Sequence, residues 1–215
     1  MNQRFIMEKA KRKEKEFIAR RQEILDEAEI IFAAKGFHAA TMAEIAQGSG
    51  FAIGTLYQFF QGKEDLYVSM VIEKLQRMYQ EIRDAVQARE DTLQRIQALV
   101  NAYFHFVENN AGFCTFFVRS DGATLPDVSN ALREQMIDAY LVQIKFIEGV
   151  IEKGIEEGIF QPDKARDYAY ALSGIIRGII YDWLVGAHQG SLAGKTELVT
   201  DIFLNGVLID QRNKR

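Results

Sequence analysis

An all-α fold is predicted by three observations. The 215 residues include only two prolines, Pro126 and Pro162. Apolar residues recur at spacings of three and four along most of the chain. Alternating strand-like stretches closed by Asn-Gly or Asp-Gly turns are scarce, and the one Asp-Gly pair, Asp121-Gly122, has no period-2 flanks. No repeat of 20–50 residues is visible, which argues against a solenoid. Hydrophobic residues at 48% and charged residues at 26% exclude disorder for most of the chain. The single cysteine, Cys114, permits neither an internal disulfide nor a CxxC motif, so the fold must rest on packing.

The elements follow in order. A first helix is expected from about Glu14 to Lys35, with Ile24, Leu25, Ala28, Ile31 and Phe32 forming one apolar stripe and Gly36 ending it. Thr41-Met42-Ala43-Glu44 is a capping box, in which the Thr41 hydroxyl accepts from the Glu44 amide and the Glu44 carboxylate reaches back. It opens a short helix to about Gln47. Gly48-Ser49-Gly50 makes a tight turn into a second short helix from Ala52 to Phe59. After Gln61-Gly62-Lys63 a long helix runs from about Glu64 to Arg89. Asp91 or Thr92 caps a helix ending near Asn109-Asn110, and Gly112 to Arg119 forms a shorter one. Residues 120–126 form a loop. A very long helix from about Asp127 toward Gly158 carries Leu132, Met136, Tyr140, Ile144, Ile147 and Ile151. Asp163 opens a helix to about Ala187, and a last one spans Lys195 to Asp210, leaving 211–215 as a frayed tail.

The first seventeen residues have no apolar h-region or cleavage site, so they are not a secretory signal. The longest apolar stretch, Tyr168 to Ala187, is broken by Arg177 and Asp182 and falls short of the roughly 18 uninterrupted residues of a membrane span. A cytoplasmic location with no membrane partner is expected.

Overall charge gives a misleading signal. The chain has 26 Lys+Arg and 30 Asp+Glu, a net charge of −4, which looks wrong for a protein that coats nucleic acid. Residues 1–21, however, hold eight cations against Glu8, Glu14 and Glu16, a local balance of +5. Such an arm can lie along phosphates or enter a minor groove, or it can be a solvated, partly helical tail.

Residues 41–60 carry the most information. Two short helices joined by a glycine turn form a helix-turn-helix or an ordinary helical hairpin; in the first case the second helix can enter a DNA major groove about 12 Å wide. The run ILDEAEIIFAAKGFHAATMAEIAQGSGFAIGTLYQFFQGKEDLY resembles the N-terminal domain of the TetR/AcrR family of bacterial transcriptional regulators. The Gly36-Phe37 corner, the Thr41 cap, the Ile45-Ala46 pair, Gly50, Gly54 to Tyr57, Phe60 and Lys63-Glu64 are all in register.

The resemblance implies three DNA-binding helices, a fourth connecting helix and five or so more. It implies an arm at 1–17, a helix-turn-helix domain at 18–63 and a ligand-binding and dimerisation domain at 64–215. It further implies that Thr41 and Tyr57 touch the DNA backbone, that Ala52, Ile53, Gly54, Thr55 and Gln58 face the groove, and that Lys63 holds a phosphate. The alternative for Tyr57 is a core aromatic beside Phe59 and Phe60. Many members place Ser-Lys where this chain has Ala52-Ile53, so a side-chain cap and a cation are missing, and apolar base contacts are expected there. Gln58 replaces a common tyrosine.

In the C-terminal half, six aromatics fall within residues 103–117, against 11% aromatic overall. They form either a bulky core or the wall of an apolar cavity. The candidate pocket residues are Tyr103, Phe104, His105, Phe113, Phe116, Phe117, Arg119 and Arg177; the two arginines can hold an anionic head group or a buried ion pair. The stretch from Tyr168 to Ala187 is apolar on all sides and should be buried on two, one of them against a partner. Gly174, Gly178 and Trp183, with Leu198, Ile202 and Phe203 of the last helix, are the candidate dimer contacts, in keeping with the four-helix interface of the family.

His38, His105 and His188 lack ligand spacing, and no nucleophile elbow, P-loop or dinucleotide motif occurs, so no enzyme activity, cofactor or metal is expected. The expected protein is a homodimeric regulator, a repressor, that binds a pseudo-palindromic double-stranded operator and is released by a small apolar or amphipathic effector through a shift of the fourth helix. A helical lipid-binding protein without DNA binding is the competing reading.

Overall fold

In a computed structural model the described residues are 2–119, 126–162, 164–186 and 189–207. The loop at 120–125, the Arg119 side chain, Asp163, His188 and the 211–215 tail lie outside them. The described residues form nine α-helices: α1 (Asn2–Ala39), α2 (Met42–Gly48), α3 (Ile53–Phe59), α4 (Lys63–Gln87), α5 (Thr92–Asn109), α6 (Ala111–Arg119), α7 (Pro126–Glu156), α8 (Ala165–Val185) and α9 (Thr196–Val207). The all-α prediction holds, and most ends fall within two residues of their expected places.

The largest departure is at the start. α1 begins at Asn2 rather than near Glu14, so the basic arm is helical. Its Lys, Glu, Arg and Ala residues are good helix formers, and Arg12 pairs with Glu16 one turn on at 2.9 Å. At Gly36 the chain takes φ 77, ψ 164, a conformation open essentially to glycine alone, and the helix breaks there before a last turn to Ala39. α8 starts at Ala165 without a side-chain cap, and a 3-10 turn at Ala193–Lys195 delays α9 to Thr196.

The chain forms two compact units, one essentially residues 1–73 and the other most of 74–215, with α4 running through the boundary. The core of the first unit is built from Ile24, Leu25, Ala28 and Phe32 of α1, Ile45 and Ala46 of α2, Leu56 of α3 and Leu66, Tyr67 and Val71 of α4. Phe32, Phe37 and Tyr67 meet ring to ring at 5.2–5.8 Å. In the second unit α5, α7 and α8 supply the buried Ile96, Leu99, Phe104, Ile144, Ile147, Ile151, Leu172 and Ile176, closed by Val199 and Phe203 of α9. Phe160 fills the corner after α7. A side chain on Gly154 would meet its ring at 2.4 Å, so a residue without Cβ is needed there.

Candidate DNA-reading site

The capping box at the start of α2 forms in full. The Thr41 hydroxyl accepts from the Glu44 amide at 3.2 Å, and the Glu44 carboxylate accepts from the Thr41 amide at 3.0 Å and its hydroxyl at 2.9 Å. Lys35 adds an ion pair to Glu44 at 2.7 Å. Together Lys35 and Thr41 hold the Glu44 carboxyl below its usual range. The turn that follows closes through Ser49, whose hydroxyl donates to the Ile45 carbonyl at 2.7 Å, and through Gly50 at φ 74.

These contacts fix α2 and aim α3. Leu56 and Phe60 are buried and anchor α3 from behind. Phe59 packs against Phe17 of α1 at a ring separation of 4.4 Å, and the Arg21 guanidinium lies over the Phe60 ring while pairing with Glu73. The opposite side of α3 is free: Ala52, Ile53, Gly54, Tyr57 and Gln58 are exposed and Thr55 is half-buried. Tyr57 is 54% exposed, so it is not the core aromatic that its neighbours Phe59 and Phe60 suggested. A Cβ on Gly54 would meet nothing within 4 Å, leaving the backbone open to close approach. Ala52 caps α3 without a side-chain hydrogen bond, as its replacement of a serine implied. No residue of α3 is charged.

Lys63, expected to hold a phosphate, is engaged within the protein. Its ammonium donates to the carbonyls of Ala40 at 2.9 Å and His38 at 3.2 Å and lies over the Phe37 ring. It thus closes the corner after Gly36, with one of its three donors left over.

The aromatic candidates of the second unit divide. Phe104 and Phe113 are buried, whereas Phe116 and Phe117 are half-buried; Phe113 stacks on Phe117 at 6.1 Å and takes the Lys74 ammonium on its face. His105 faces solvent, on the opposite side of α5 from the core, and leaves the pocket group. Arg177 is also exposed, and its guanidinium covers the Tyr140 ring at 4.9 Å instead of forming a buried ion pair. Burial pushes the Tyr103 hydroxyl far above the usual tyrosine range, helped by Tyr79, and Tyr79 rises in the same way. Tyr79, Tyr140 and Gln143 thus join Tyr103; of the three, only Tyr140 stood out in the sequence, as part of the apolar stripe of α7. Gln143 was legible as the one amide on the buried face of the Tyr140–Ile144–Ile147 stripe. A separate polar groove of about 570 Å³, between α5 and the start of α9, includes Arg89, Gln94, Asn101 and Glu197 and none of the predicted pocket residues.

The dimer candidates divide as well. Gly174, Gly178, Leu198 and Ile202 are exposed, but Trp183 and Phe203 belong to the core, and the Trp183 indole donates to the Gly190 carbonyl at 3.0 Å. Tyr170, Tyr181 and Val185 are the exposed apolar side chains of α8 instead. They continue the three-to-four spacing of Gly174 and Gly178, a register that the all-round hydrophobicity of this helix concealed.

Residues 24–70 match the family described as bacterial regulatory proteins, tetR family. The chain is 31% identical over 157 residues to the HTH-type transcriptional repressor KstR2 of Mycobacterium tuberculosis, covering 71% of this chain and 74% of that one. It is 33% identical over 110 residues to the HTH-type transcriptional activator FasR of Mycolicibacterium smegmatis, about half of each chain. In fold it is similar to the transcriptional regulator FadR of Bacillus subtilis in complex with stearoyl-CoA, with a TM-score of 0.73 at 20% identity over 86% of this chain and 98% of that one. With a capped helix-turn-helix, an outward-facing second helix and these likenesses in hand, the chain belongs to the TetR family of bacterial regulatory proteins.

Proposed function

We propose that this regulator is a homodimeric repressor that holds a pseudo-palindromic operator and releases it on binding an acyl thioester. The observation that carries DNA reading is the exposed, uncharged face of α3, with Ile53, Gly54, Thr55, Tyr57 and Gln58 turned away from a core that Leu56 and Phe60 anchor. An uncharged reading helix discriminates by hydrogen bonds and methyl contacts at base edges, and leaves most of the phosphate attraction to cations elsewhere. The helical arm supplies those cations: Lys9, Lys11, Arg12, Lys13, Lys15 and Arg20 are all exposed.

The self-partner is supported by the apolar outer face of α8 and α9, where Tyr181, Val185, Leu198 and Ile202 are each more than half exposed. The effector class is supported by the FadR complex with stearoyl-CoA and by the apolar interior of the second unit. α4 begins in the first unit and ends in the second, so a ligand that favours one placement of its C-terminal half biases its N-terminal half too.

A mobility-shift titration with DNA from beside its own gene is expected to show salt-dependent binding that stearoyl-CoA dissolves. Absence of binding at low salt to any such fragment would refute the reading. FasR, named as an activator, favours a second outcome in which the thioester tightens the complex; the same titration decides between the two.

A further inference from the structure

Between α4, α5, α7 and α8 lies a small polar group in an otherwise apolar interior. Gln143 of α7 is 1% exposed, and neither atom of its amide has a hydrogen bond of acceptable geometry. The Tyr103 hydroxyl of α5 is near enough to interact with that amide, and Tyr79 of α4, Tyr140 of α7 and Arg177 of α8 lie close enough to act on the phenol electrostatically. Ile82, Leu99, Phe104, Ile144, Ile147 and Ile176 belong to the apolar core of the same unit. A buried amide without good partners costs free energy that an apolar side chain of the same size would avoid. The glutamine therefore calls for an occupant.

The chemistry of the group narrows that occupant. Among the described residues no carboxylate acts on Tyr103 or Tyr79, so a cation finds no counter-charge from them here. The one cation, Arg177, is exposed and engaged with the Tyr140 ring, which leaves the inner group neutral. Burial keeps the Tyr103 proton in place through the physiological range, so the phenol is a donor. An amide N–H and a phenol O–H placed side by side suit a neutral carbonyl oxygen, which has two lone pairs.

We propose that the Gln143 amide and the Tyr103 hydroxyl form a carbonyl-reading site that holds the C=O of an acyl thioester while the surrounding core takes its chain. The assignment rests on the effector class proposed above and adds the atoms that recognise it.

The test uses the intact protein and two ligands, stearoyl-CoA and its thioether analogue S-octadecyl-CoA, which keeps the chain and head group and lacks the carbonyl oxygen. Calorimetric titrations of the wild type should give about tenfold tighter binding of the thioester. In Gln143→Leu and Tyr103→Phe the thioester should fall to the level of the thioether, whose own affinity stays put. Without ligand, Gln143→Leu should melt above the wild type. Equal binding of both ligands by the wild type would overturn the carbonyl site and leave the effector class standing. Binding of neither would overturn both. A Gln143→Leu protein that melts lower with an unchanged thioester preference would show a structural amide and also overturn the site. Should Gln143→Leu fail to fold, Tyr103→Phe decides alone.

Discussion

Gly36 illustrates how much one residue governs. At φ 77, ψ 164 any side chain is strained, although a Cβ would find open space, so the penalty is purely conformational. Gly36→Ala is expected to cost about 1–3 kcal/mol and lower the melting temperature by several degrees in a thermal scan. The glycine was legible in the sequence as a helix stop, because only glycine tolerates positive φ cheaply. Lys63 was not legible in its observed role, since nothing local in a sequence says that an ammonium will meet carbonyls 23 and 25 residues earlier. Tyr57 is half exposed on the outer side of α3, so Tyr57→Ala should weaken operator binding at least tenfold without lowering the melting temperature, measured by mobility shift beside a thermal scan. The Glu44 carboxyl, held low by Lys35 first and Thr41 second, contributes its cap above its ordinary value of 4.5 and loses it as pH falls through the lower folded value. The protection factor of the Thr41 amide, which donates to that carboxylate, should therefore hold at neutral pH and fall only in acid below 4.5.

Among the elements, those with strong local signals were read closely. The capping box, the glycine turn and the Asp91 cap, which accepts from the Gln94 amide at 2.9 Å, each have a stereochemical cause confined to four residues. Side-chain placement on α8 was read less well, because a helix apolar on every side offers no periodicity from which to choose its buried face. Trp183 consequently fell in the core and Tyr181 outside it. The start of α1 was placed too late for a related reason: a helix without an apolar stripe shows none of the periodicity by which helices are recognised, although its composition favours one. As a helix whose cations are exposed on more than one side, it can follow phosphates but is too wide to slip into a minor groove about 6 Å across. Replacing Lys11, Lys13 and Lys15 by glutamine should lower the slope of log affinity against log salt by about 1 for each phosphate that is no longer neutralised, with base preference unchanged. Binding isotherms at several salt concentrations provide that measurement.

For the whole molecule, the exposed apolar face of α8 and α9 sets the expectation. Ile202 is 54% exposed in the single chain, and the neighbouring Leu198 is 53% exposed. Ile202→Glu would place a charge on a surface that association desolvates, so light scattering at micromolar concentration should show a monomer in place of a dimer. Operator binding should fall with it, since one half-site then carries the whole affinity, while the monomer keeps its melting transition because Ile202 contributes little to the core.

The absence of charge on α3 has a bearing on how such regulators diverge. Where a reading surface also carries the electrostatic grip, each change of base preference risks losing the DNA altogether. On the proposed reading the grip falls to the exposed cations of α1, from Lys9 to Arg20, so substitutions at Ile53, Thr55 or Gln58 can explore new operators while the protein stays on DNA. A gene duplicate with this division of labour can acquire a new set of target genes by small steps, each of which remains visible to selection.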